Sequence, residues 1–339
     1  MYRKMDKGFT IVELLTVMGI IVVLISLLLP ALSMVRDFSR DIQQRAQFHS
    51  IEVGIGLYEH DFGSPPPSTD NVDMFGNQWD LPDYDGASST ENYCGAMKLA
   101  EAMGGMDLLG FHPNSGYYAD GINRVRYPDS ATGNLVTSNE DIYTADNALA
   151  NPNWQTGTQN LDARKGPYVD LENPYAFRIA DIYGTNEGFV GPSYLPEGTD
   201  GPLVLTDVFS KRRRSGEKTG SPILYFRART IFSQQDSSDW ESNATSSRYL
   251  NEHQDDIFYL GDNYALLERD VPGDTGTQHP IMDGGQQSAI EEFERTILND
   301  KVSSIKRPYR ESSYILWSAG KDGLFGTADD IFNFDKIKD

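Results

Sequence analysis

The opening residues of the chain carry its longest uninterrupted hydrophobic pattern. From Phe9 to Leu32 the only ionisable side chain is that of Glu13. A helix that crosses a bilayer needs about 20 predominantly apolar residues, so this stretch is long enough to span one. Arg3, Lys4 and Lys7 precede it, and this positive charge predicts a cytoplasmic N-terminus with the rest of the chain across the membrane.

A cleaved secretory signal peptide is an alternative interpretation of the same segment. The apolar region of such a peptide is typically about 7–15 residues long and ends in a small-x-small cleavage site. Ala31-Leu32-Ser33 is a weak match to that site. This interpretation leaves Glu13 unexplained, although a carboxylate inside a bilayer costs a few kcal/mol. A membrane-spanning helix is therefore the preferred interpretation.

Beyond Leu32 the apolar positions recur at spacings of three and four residues, which predicts that the helix continues as an amphipathic one. The predicted stripe consists of Val35, Phe38, Ile42, Ala46, His49, Val53 and Leu57. The run Ser64-Pro65-Pro66-Pro67-Ser68 ends the pattern, because proline cannot continue a helix. We therefore predict one helix from about Phe9 to Phe62, with Pro30 as the expected kink and the stripe packed against the head.

The pattern of apolar and polar residues after Phe62 predicts an α+β head. Residues 63–90 and 261–285 are read as loops, residues 114–166 as an insertion of loops and short elements, and residues 92–103 and 288–300 as helices. Strands are predicted over 176–183, 202–209, 222–232 and 314–317, and alternating side chains support the second and third of them. Lys211 to Arg214 lie between two of these strands and are read as a solvated hairpin loop, with a subunit or lipid contact as the alternative. The fold class is therefore a long N-terminal helix on an antiparallel sheet with long loop insertions.

Composition narrows the range of functions. The net charge of −21 argues against a nucleic-acid-binding surface and is compatible with cation binding. Cys94 is the single cysteine, so no intrachain disulfide can form, and the five histidines lack the spacing of zinc ligands. Gly104 to Gly110 lacks the Gly-Lys-Ser/Thr ending of a phosphate loop. The sequence therefore predicts no catalytic residues and no enzyme.

An acidic loop follows the last predicted strand. Asp322, Asp329 and Asp330 bracket Gly323 and Gly326, and glycines permit a backbone reversal that brings carboxylates together. Carboxylate and carbonyl oxygens are the ligands that Ca²⁺ prefers. The alternative is a solvated turn with capping aspartates. Four aspartates within 261–285 raise the question of a second cation site, but a plain acidic loop is the preferred interpretation there.

At Lys7-Gly8-Phe9-Thr10-Ile11-Val12-Glu13 the chain resembles the N-terminal signature of type IV pilins and type II secretion pseudopilins. The resemblance implies that a membrane-embedded prepilin peptidase cuts between Gly8 and Phe9 and that the new amine of Phe9 is N-methylated. It also implies that Glu13 pairs with the Phe9 amine of a neighbouring subunit during assembly. Such pairing offsets the cost of both charges in hydrocarbon. The alternative is that Glu13 simply lies near the membrane surface.

The acidic loop is similar to the calcium loop of major pseudopilins, because a strand is followed by Ser-x-Gly-x-Asp-Gly and then by an Asp pair. The implied ligands are the side chains of Asp322, Asp329 and Asp330, with carbonyls near Leu316, Ser318 and Leu324. Gly166-Pro167-Tyr168 also resembles an element that precedes the sheet in those proteins. The head is larger than that of a usual major pseudopilin, so the choice between major and minor subunit stays open.

These resemblances imply a leader over 1–8, a membrane and filament-core helix over 9–32, its amphipathic continuation over 33–62, and an extracytoplasmic head over 63–339 with the calcium-loop candidate at 316–331. The expected function is a pilus-like filament subunit of the bacterial inner membrane, most simply a type II secretion pseudopilin with a periplasmic head. Its expected partners are other pilin or pseudopilin subunits, prepilin peptidase, and an assembly platform with its ATPase. The alternatives are a type IV pilus subunit for adhesion or motility, and an uncleaved single-pass enzyme or binding protein.

Overall fold

The first element is a single long helix, α1, from Ile11 to Phe62. The computed structural model describes residues 10–69, 92–117, 122–123, 126–128, 135–137, 140–141, 143, 161–170, 176–184, 189, 201–213, 216–230, 256–272, 276–299, 301–302 and 305–335. The chain divides into two compact units, Met1–Gln43 and Gln44–Asp339. The predicted long helix is confirmed. Pro30 lies inside the helix without ending it, although proline has no N–H and so removes one backbone hydrogen bond.

The predicted packing stripe on α1 is wrong. All seven of its members are exposed, with Phe38 at 66% and Leu57 at 51% relative exposure. The buried residues of the helix are instead Gln44, Phe48, Ile51, Gly54, Ile55 and Tyr58. This second set has the same helical period, so periodicity alone did not distinguish the two faces. The buried face is the one that contains Gly54, whose missing side chain lets Val169 and Met103 approach the helix closely.

Helix α2, Gly95–Gly104, confirms the helix predicted over 92–103, but it is not amphipathic. Every residue in it is buried, including Lys98 and Glu101. The Glu101 carboxylate is satisfied by hydroxyl groups, since it accepts hydrogen bonds from Tyr93 at 2.5 Å and Tyr143 at 2.7 Å, and from Ser115. Burial raises the pKa of Glu101, and these hydrogen bonds counteract the rise. The network joins α2 to residues of the predicted loop insertion.

The strands form small antiparallel sheets, which confirms the α+β class. Their bounds are β1 Ile122–Asn123, β2 Arg126–Pro128, β3 Leu135–Thr137, β4 Glu140–Asp141, β5 Ala176–Arg178, β6 Leu203–Leu205, β7 Lys211–Arg212, β8 Lys218–Thr219, β9 Leu224–Arg227, β10 Tyr314–Ser318 and β11 Ile331–Phe332. The central sheet has the order β11-β10-β9, and Trp317 of β10 lies opposite both Leu224 and Phe332. The other pairs are β1 with β4, β2 with β3, β5 with β6, and β7 with β8.

Two of the strand and loop predictions need correction. The strand predicted over 176–183 turns after Arg178 into helix α3, Ile179–Tyr183, which ends at Gly184 in a left-handed conformation. The segment 261–285, predicted as loop, begins inside a 3-10 helix, Leu260–Asn263, continues into helix α4, Tyr264–Leu267, and contains a second 3-10 helix, Pro280–Met282. Buried apolar side chains on these turns, such as Leu266 and Ile281, account for the extra structure.

The basic run is a hairpin, but its side chains are not all solvated. Lys211 and Arg212 are exposed strand residues, whereas Arg213 is buried and donates to the carbonyl of Pro272 at 2.9 Å. Arg214 lies outside the described residues. The predicted helix over 288–300 is confirmed as α5, Gln286–Ile297, with Ile290, Phe293 and Ile297 buried.

Candidate functional site

The N-terminus of α1 is capped by two reciprocal hydrogen bonds between side chains and backbone N–H groups. The backbone N–H of Thr10 donates to Glu13 Oε2 at 2.9 Å, and the backbone N–H of Glu13 donates to Thr10 Oγ1 at 3.2 Å. This is a capping box, in which a Thr before the helix and a Glu three residues later satisfy two free backbone donors. The Thr-x-x-Glu spacing was visible in the sequence, but the sequence analysis did not use it. Gly8 and Phe9, the residues of the expected cleavage, lie outside the described residues.

The residues that follow Glu13 in α1 present an apolar surface. From Ile11 to Gln43 no residue is buried, and Leu15, Leu27 and Met34 are each more than two-thirds exposed. In the described part of the chain, α1 is the one helix that is long and apolar enough to cross a membrane by length and composition. A signal sequence near an N-terminus meets the same test. The segment is therefore a candidate membrane anchor or signal sequence.

The loop between β10 and β11 turns on three glycines with positive φ, namely Gly320, Gly323 and Gly326. At Gly320 a Cβ atom would lie 2.2 Å from the carbonyl oxygen of Asp329, so the two arms of the loop touch there. The backbone N–H of Asp322 donates to Asp329 Oδ2 at 2.9 Å across the same contact. Gly323 and Gly326 therefore form the expected backbone turns, whereas the contact between the two arms is at Gly320, which the sequence analysis did not single out. The loop brings Asp322 and Asp329 together.

Each of the three carboxylates in the loop also accepts a local hydrogen bond. Asp322 Oδ1 accepts the N–H of Leu324 at 2.8 Å, and Asp329 Oδ1 accepts the hydroxyl of Thr327 at 2.5 Å. Asp330 Oδ2 accepts the N–H groups of Gly326 at 2.9 Å and Thr327 at 3.2 Å. These contacts match the capping-aspartate alternative of the sequence analysis, since short acidic side chains stabilise turns in this way.

The carboxylates differ in their electrostatics. Partial burial raises the pKa of Asp322, and the adjacent carboxylate of Asp329 raises it further. For Asp329, burial acts upward, but hydrogen bonds from Thr327 and Asp322 outweigh it and lower the pKa. Burial raises the pKa of Asp330 to about 8, although the N–H groups of Gly326 and Thr327 act in the opposite direction. The loop thus holds two neighbouring carboxylates that repel each other and a third that burial disfavours as an anion.

Each of the six expected calcium ligands has a hydrogen-bond partner within the protein. Within the described ranges, no group of three or more His, Cys, Asp or Glu side chains is placed to hold a metal ion. The carbonyl of Leu316 accepts the N–H of Asn333 beside the sheet, and the carbonyl of Leu324 accepts the hydroxyl of Thr327. Ser318 is buried, and its hydroxyl donates to Asp207 at 3.0 Å. The Asp322–Asp329 pair is therefore the part of the expected ligand set that the fold brings together.

The sequence analysis missed the residues that surround this loop. Lys211 of β7 donates from Nζ to the carbonyl oxygen of Asp322 at 2.5 Å, so the basic hairpin lies against the acidic loop. Beneath it, buried Asp207 accepts the N–H of Ser221 at 3.0 Å as well as the Ser318 hydroxyl. Burial raises the pKa of Asp207 to about 6. The N–H of Phe325 in the loop donates to Nδ1 of buried His279 at 3.2 Å.

The second acidic segment does not act as one cluster. Asp262 is fully buried and forms an ion pair with Arg229 at 3.0 Å. Asp270 accepts the N–H of Gly276 at 2.7 Å, and Asp283 is exposed. Asp274 lies outside the described residues. The described aspartates of 261–285 are therefore engaged separately.

Comparisons with protein-family models, with curated proteins and with solved structures find no match to this chain.

Proposed function

We propose that this chain is a structural subunit of a pilus-like filament, most simply a type II secretion pseudopilin with a pilin-like fold. The observation that supports the proposal most directly is the first half of α1, which is apolar, entirely exposed, and interrupted by one carboxylate in its first turn. A helix that is hydrophobic on all sides requires an apolar environment, and an exposed one must find it outside its own chain. A membrane before assembly and neighbouring helices after it meet that requirement.

In the proposed mechanism, prepilin peptidase cuts between Gly8 and Phe9 at the cytoplasmic face of the inner membrane, and the head faces the periplasm. The new amine is N-methylated, and Glu13 of an incoming subunit pairs with the Phe9 amine of its neighbour. A buried carboxylate next to a buried ammonium lowers the desolvation cost of both. Energy for assembly comes from an ATPase partner acting through the membrane platform.

The capping box provides a sharp test of the role of Glu13. Glutamine can also accept the cap hydrogen bond, so Glu13→Gln removes the charge and keeps the cap, whereas Thr10→Val removes the cap and keeps the charge. We expect Glu13→Gln to remain membrane-bound but to lose incorporation into filaments, and Thr10→Val to assemble. Filament recovery by shearing, with membrane fractionation as the control, measures both properties.

Two results would count against the charge-pairing mechanism. Normal assembly of Glu13→Gln would show that the charge is not needed. A defect in Thr10→Val and Glu13→Ala together with normal assembly of Glu13→Gln would assign Glu13 to helix capping, at about 0.5–2 kcal/mol per lost cap.

We also propose that the acidic loop binds Ca²⁺ through Asp322 and Asp329. The charge of Asp329, which raises the pKa of the adjacent Asp322, supports this proposal, because a divalent cation would offset the repulsion between two ionised carboxylates. The remaining ligands would have to come from loop carbonyls and from movement of Asp330. Binding to the folded state stabilises a protein by about 2.7 kcal/mol when the free ligand exceeds its Kd about 100-fold.

We therefore expect calcium to raise the Tm of the wild type and of the control Asp283→Asn, which changes an exposed aspartate elsewhere. Asp322→Asn and Asp329→Asn should lose that rise while keeping similar Tm values in chelator. Thermal unfolding in calcium and in chelator measures this. Equal calcium responses in all four proteins, or no response in the wild type, would exclude the proposed ligands.

An uncleaved single-pass anchor is the second candidate function. The capping box favours it, because Glu13 then has a local role that needs no neighbouring subunit. Intact mass and N-terminal sequence of the protein from native membranes separate the two. A chain that begins at N-methylated Phe9 supports the filament proposal, whereas one that begins at Met1 supports the static anchor.

A further inference from the structure

A cleft of about 270 Å³ lies between the residues that follow α1 and the residues at the end of β9. Ser68 and Thr69 form one side, and Arg227, Arg229 and Thr230 form the other. Two arginines therefore line a single cleft in a chain of net charge −21. Neither the anchor nor the acidic loop accounts for this concentration of positive charge.

Arg229 is held in a fixed position within the cleft. Its Nη2 lies 3.0 Å from Oδ1 of Asp262, which is completely buried, and its guanidinium lies over the ring of Tyr259 at 4.8 Å. Asp262 is fixed in turn, since Oδ2 accepts the hydroxyl of Ser68. Ion pairing and stacking together orient a guanidinium before any ligand arrives, which lowers the entropic cost of binding.

Arg227 is the second cation of the cleft. Its backbone N–H donates to Ser68 Oγ at 3.0 Å, so the two sides of the cleft are joined at this point. Among the residues that the structure describes, no carboxylate forms an ion pair with its guanidinium, which is partly exposed. Asp262 thus balances Arg229, and the charge of Arg227 remains as the excess of the described cleft.

We propose that this cleft binds a small oxyanion, a phosphate or a carboxylate. Arg227 supplies the principal contact, because the guanidinium fork donates two parallel hydrogen bonds to such an anion. Arg229 adds a second positive charge, and the hydroxyls of Thr69 and Thr230 offer neutral donors. Asp262 and Tyr259 act as positioning residues that keep Arg229 in place.

The test uses the full chain in detergent micelles and follows Tm during titration with sodium phosphate or sodium acetate, with sodium chloride keeping the ionic strength constant. Arg227→Met removes the guanidinium, and Arg227→Lys keeps the charge without the fork. Arg212→Met is the matched control, because it removes the same charge from the exposed hairpin. The two anions distinguish preference for phosphate from preference for carboxylate.

We expect a saturable rise in Tm in the wild type and in Arg212→Met, with an apparent affinity at least about tenfold lower in Arg227→Met and intermediate in Arg227→Lys. Equal responses in Arg227→Met and Arg212→Met would overturn the proposal, because the effect would then be general screening. Absence of a saturable response to either anion in the wild type would overturn it as well.

Discussion

The two parts of α1 belong to one helix but differ in burial: the first part is exposed, and one face of the second part is buried. The helix is densely apolar from Ile11 to Leu32, and no residue is buried from Ile11 to Gln43. From Gln44 to Phe62 it carries fewer apolar residues, and six residues on one face are buried. Apolar density therefore does not predict burial within the chain. It indicates which part of the helix needs an apolar environment from elsewhere.

The buried face of α1 between Gln44 and Phe62 packs against the head through a small number of close contacts. The ring of Tyr58 lies edge-on to that of Phe111 at 5.2 Å, and its hydroxyl lies 2.5 Å from the hydroxyl of Tyr117. At the edge of this face, Arg310 pairs with Glu52 at 2.5 Å. Aromatic packing with satisfied polar tips is typical of a rigid interior. This part of the helix is thus an integral part of the head.

The largest expected effect comes from making the same substitution in each part of the helix. Phe48 is 2% exposed and Phe38 is 66% exposed. Phe48→Ala should reduce the free energy of unfolding of the head by about 3–5 kcal/mol, because it leaves a cavity in the core. Phe38→Ala should change it by no more than about 0.5 kcal/mol. Denaturant unfolding of both variants in the same detergent measures the difference.

A similar loss in both variants would contradict the division of the helix into an exposed and a buried part. In that case the stripe that contains Phe38 would carry packing that the structure does not assign to it.

A second effect depends on pH and concerns the interior of the head. Burial lowers the pKa of His279 to about 4, from 6.5 in the unfolded chain. The unfolded state therefore takes up a proton first, and stability falls as the pH drops from about 6.5 towards 4. His279 is 0% exposed, so this contribution is on the order of 2–3 kcal/mol. Burial also lowers the pKa of His112 to about 4, which adds a contribution of the same sign.

Unfolding measured against pH in wild type and His279→Asn isolates this contribution. Asparagine can still accept the N–H of Phe325 but does not titrate. Subtraction removes the opposing contributions from Asp207 and Asp330, whose pKa values, raised to about 6 and about 8, cause stability to be lost as the pH rises above 3.8. His60→Asn, at a largely exposed side chain, is the control. Parallel curves for wild type and His279→Asn would show that the imidazole is not buried as described.

The contrast between the two parts of α1 also explains which structural features could be predicted from the sequence. The long helix, α2 and α5 follow from helical periodicity, and strand β10 follows from the short apolar run Tyr314–Trp317. Each of these elements was predicted within a few residues. The buried face of α1 was not predicted, because two stripes of residues have the same helical period. Which of them is buried depends on the surface that packs against the helix. The fit depends on residues distant in sequence, such as Met103 and Val169 near Gly54.

The acidic loop likewise combines features that the local sequence predicts with features that depend on residues distant in the chain. Its glycine turns were predictable, because Gly323 and Gly326 adopt the positive φ that other residues avoid. Its surroundings were not, because Lys211, Asp207 and His279 come from segments far along the chain. Arg213 was misread as solvated, since a charged run indicates exposure only until buried acceptors such as the Pro272 carbonyl are known.

The smallest effect is also the most discriminating, because it uses two glycines two residues apart on the same helix. At Gly54 a Cβ atom would lie 2.8 Å from Val169 Cγ1 and 2.9 Å from Met103 Sδ, whereas at Gly56 it would meet nothing within 4 Å. Gly54→Ala should therefore destabilise the head by about 1–3 kcal/mol through overpacking. Gly56→Ala should stabilise it by about 0.5–1 kcal/mol, because alanine loses less backbone entropy in a helix. Opposite signs in one set of thermal unfolding curves would locate the packed face of α1 to within a single helical turn, and equal signs would place it elsewhere.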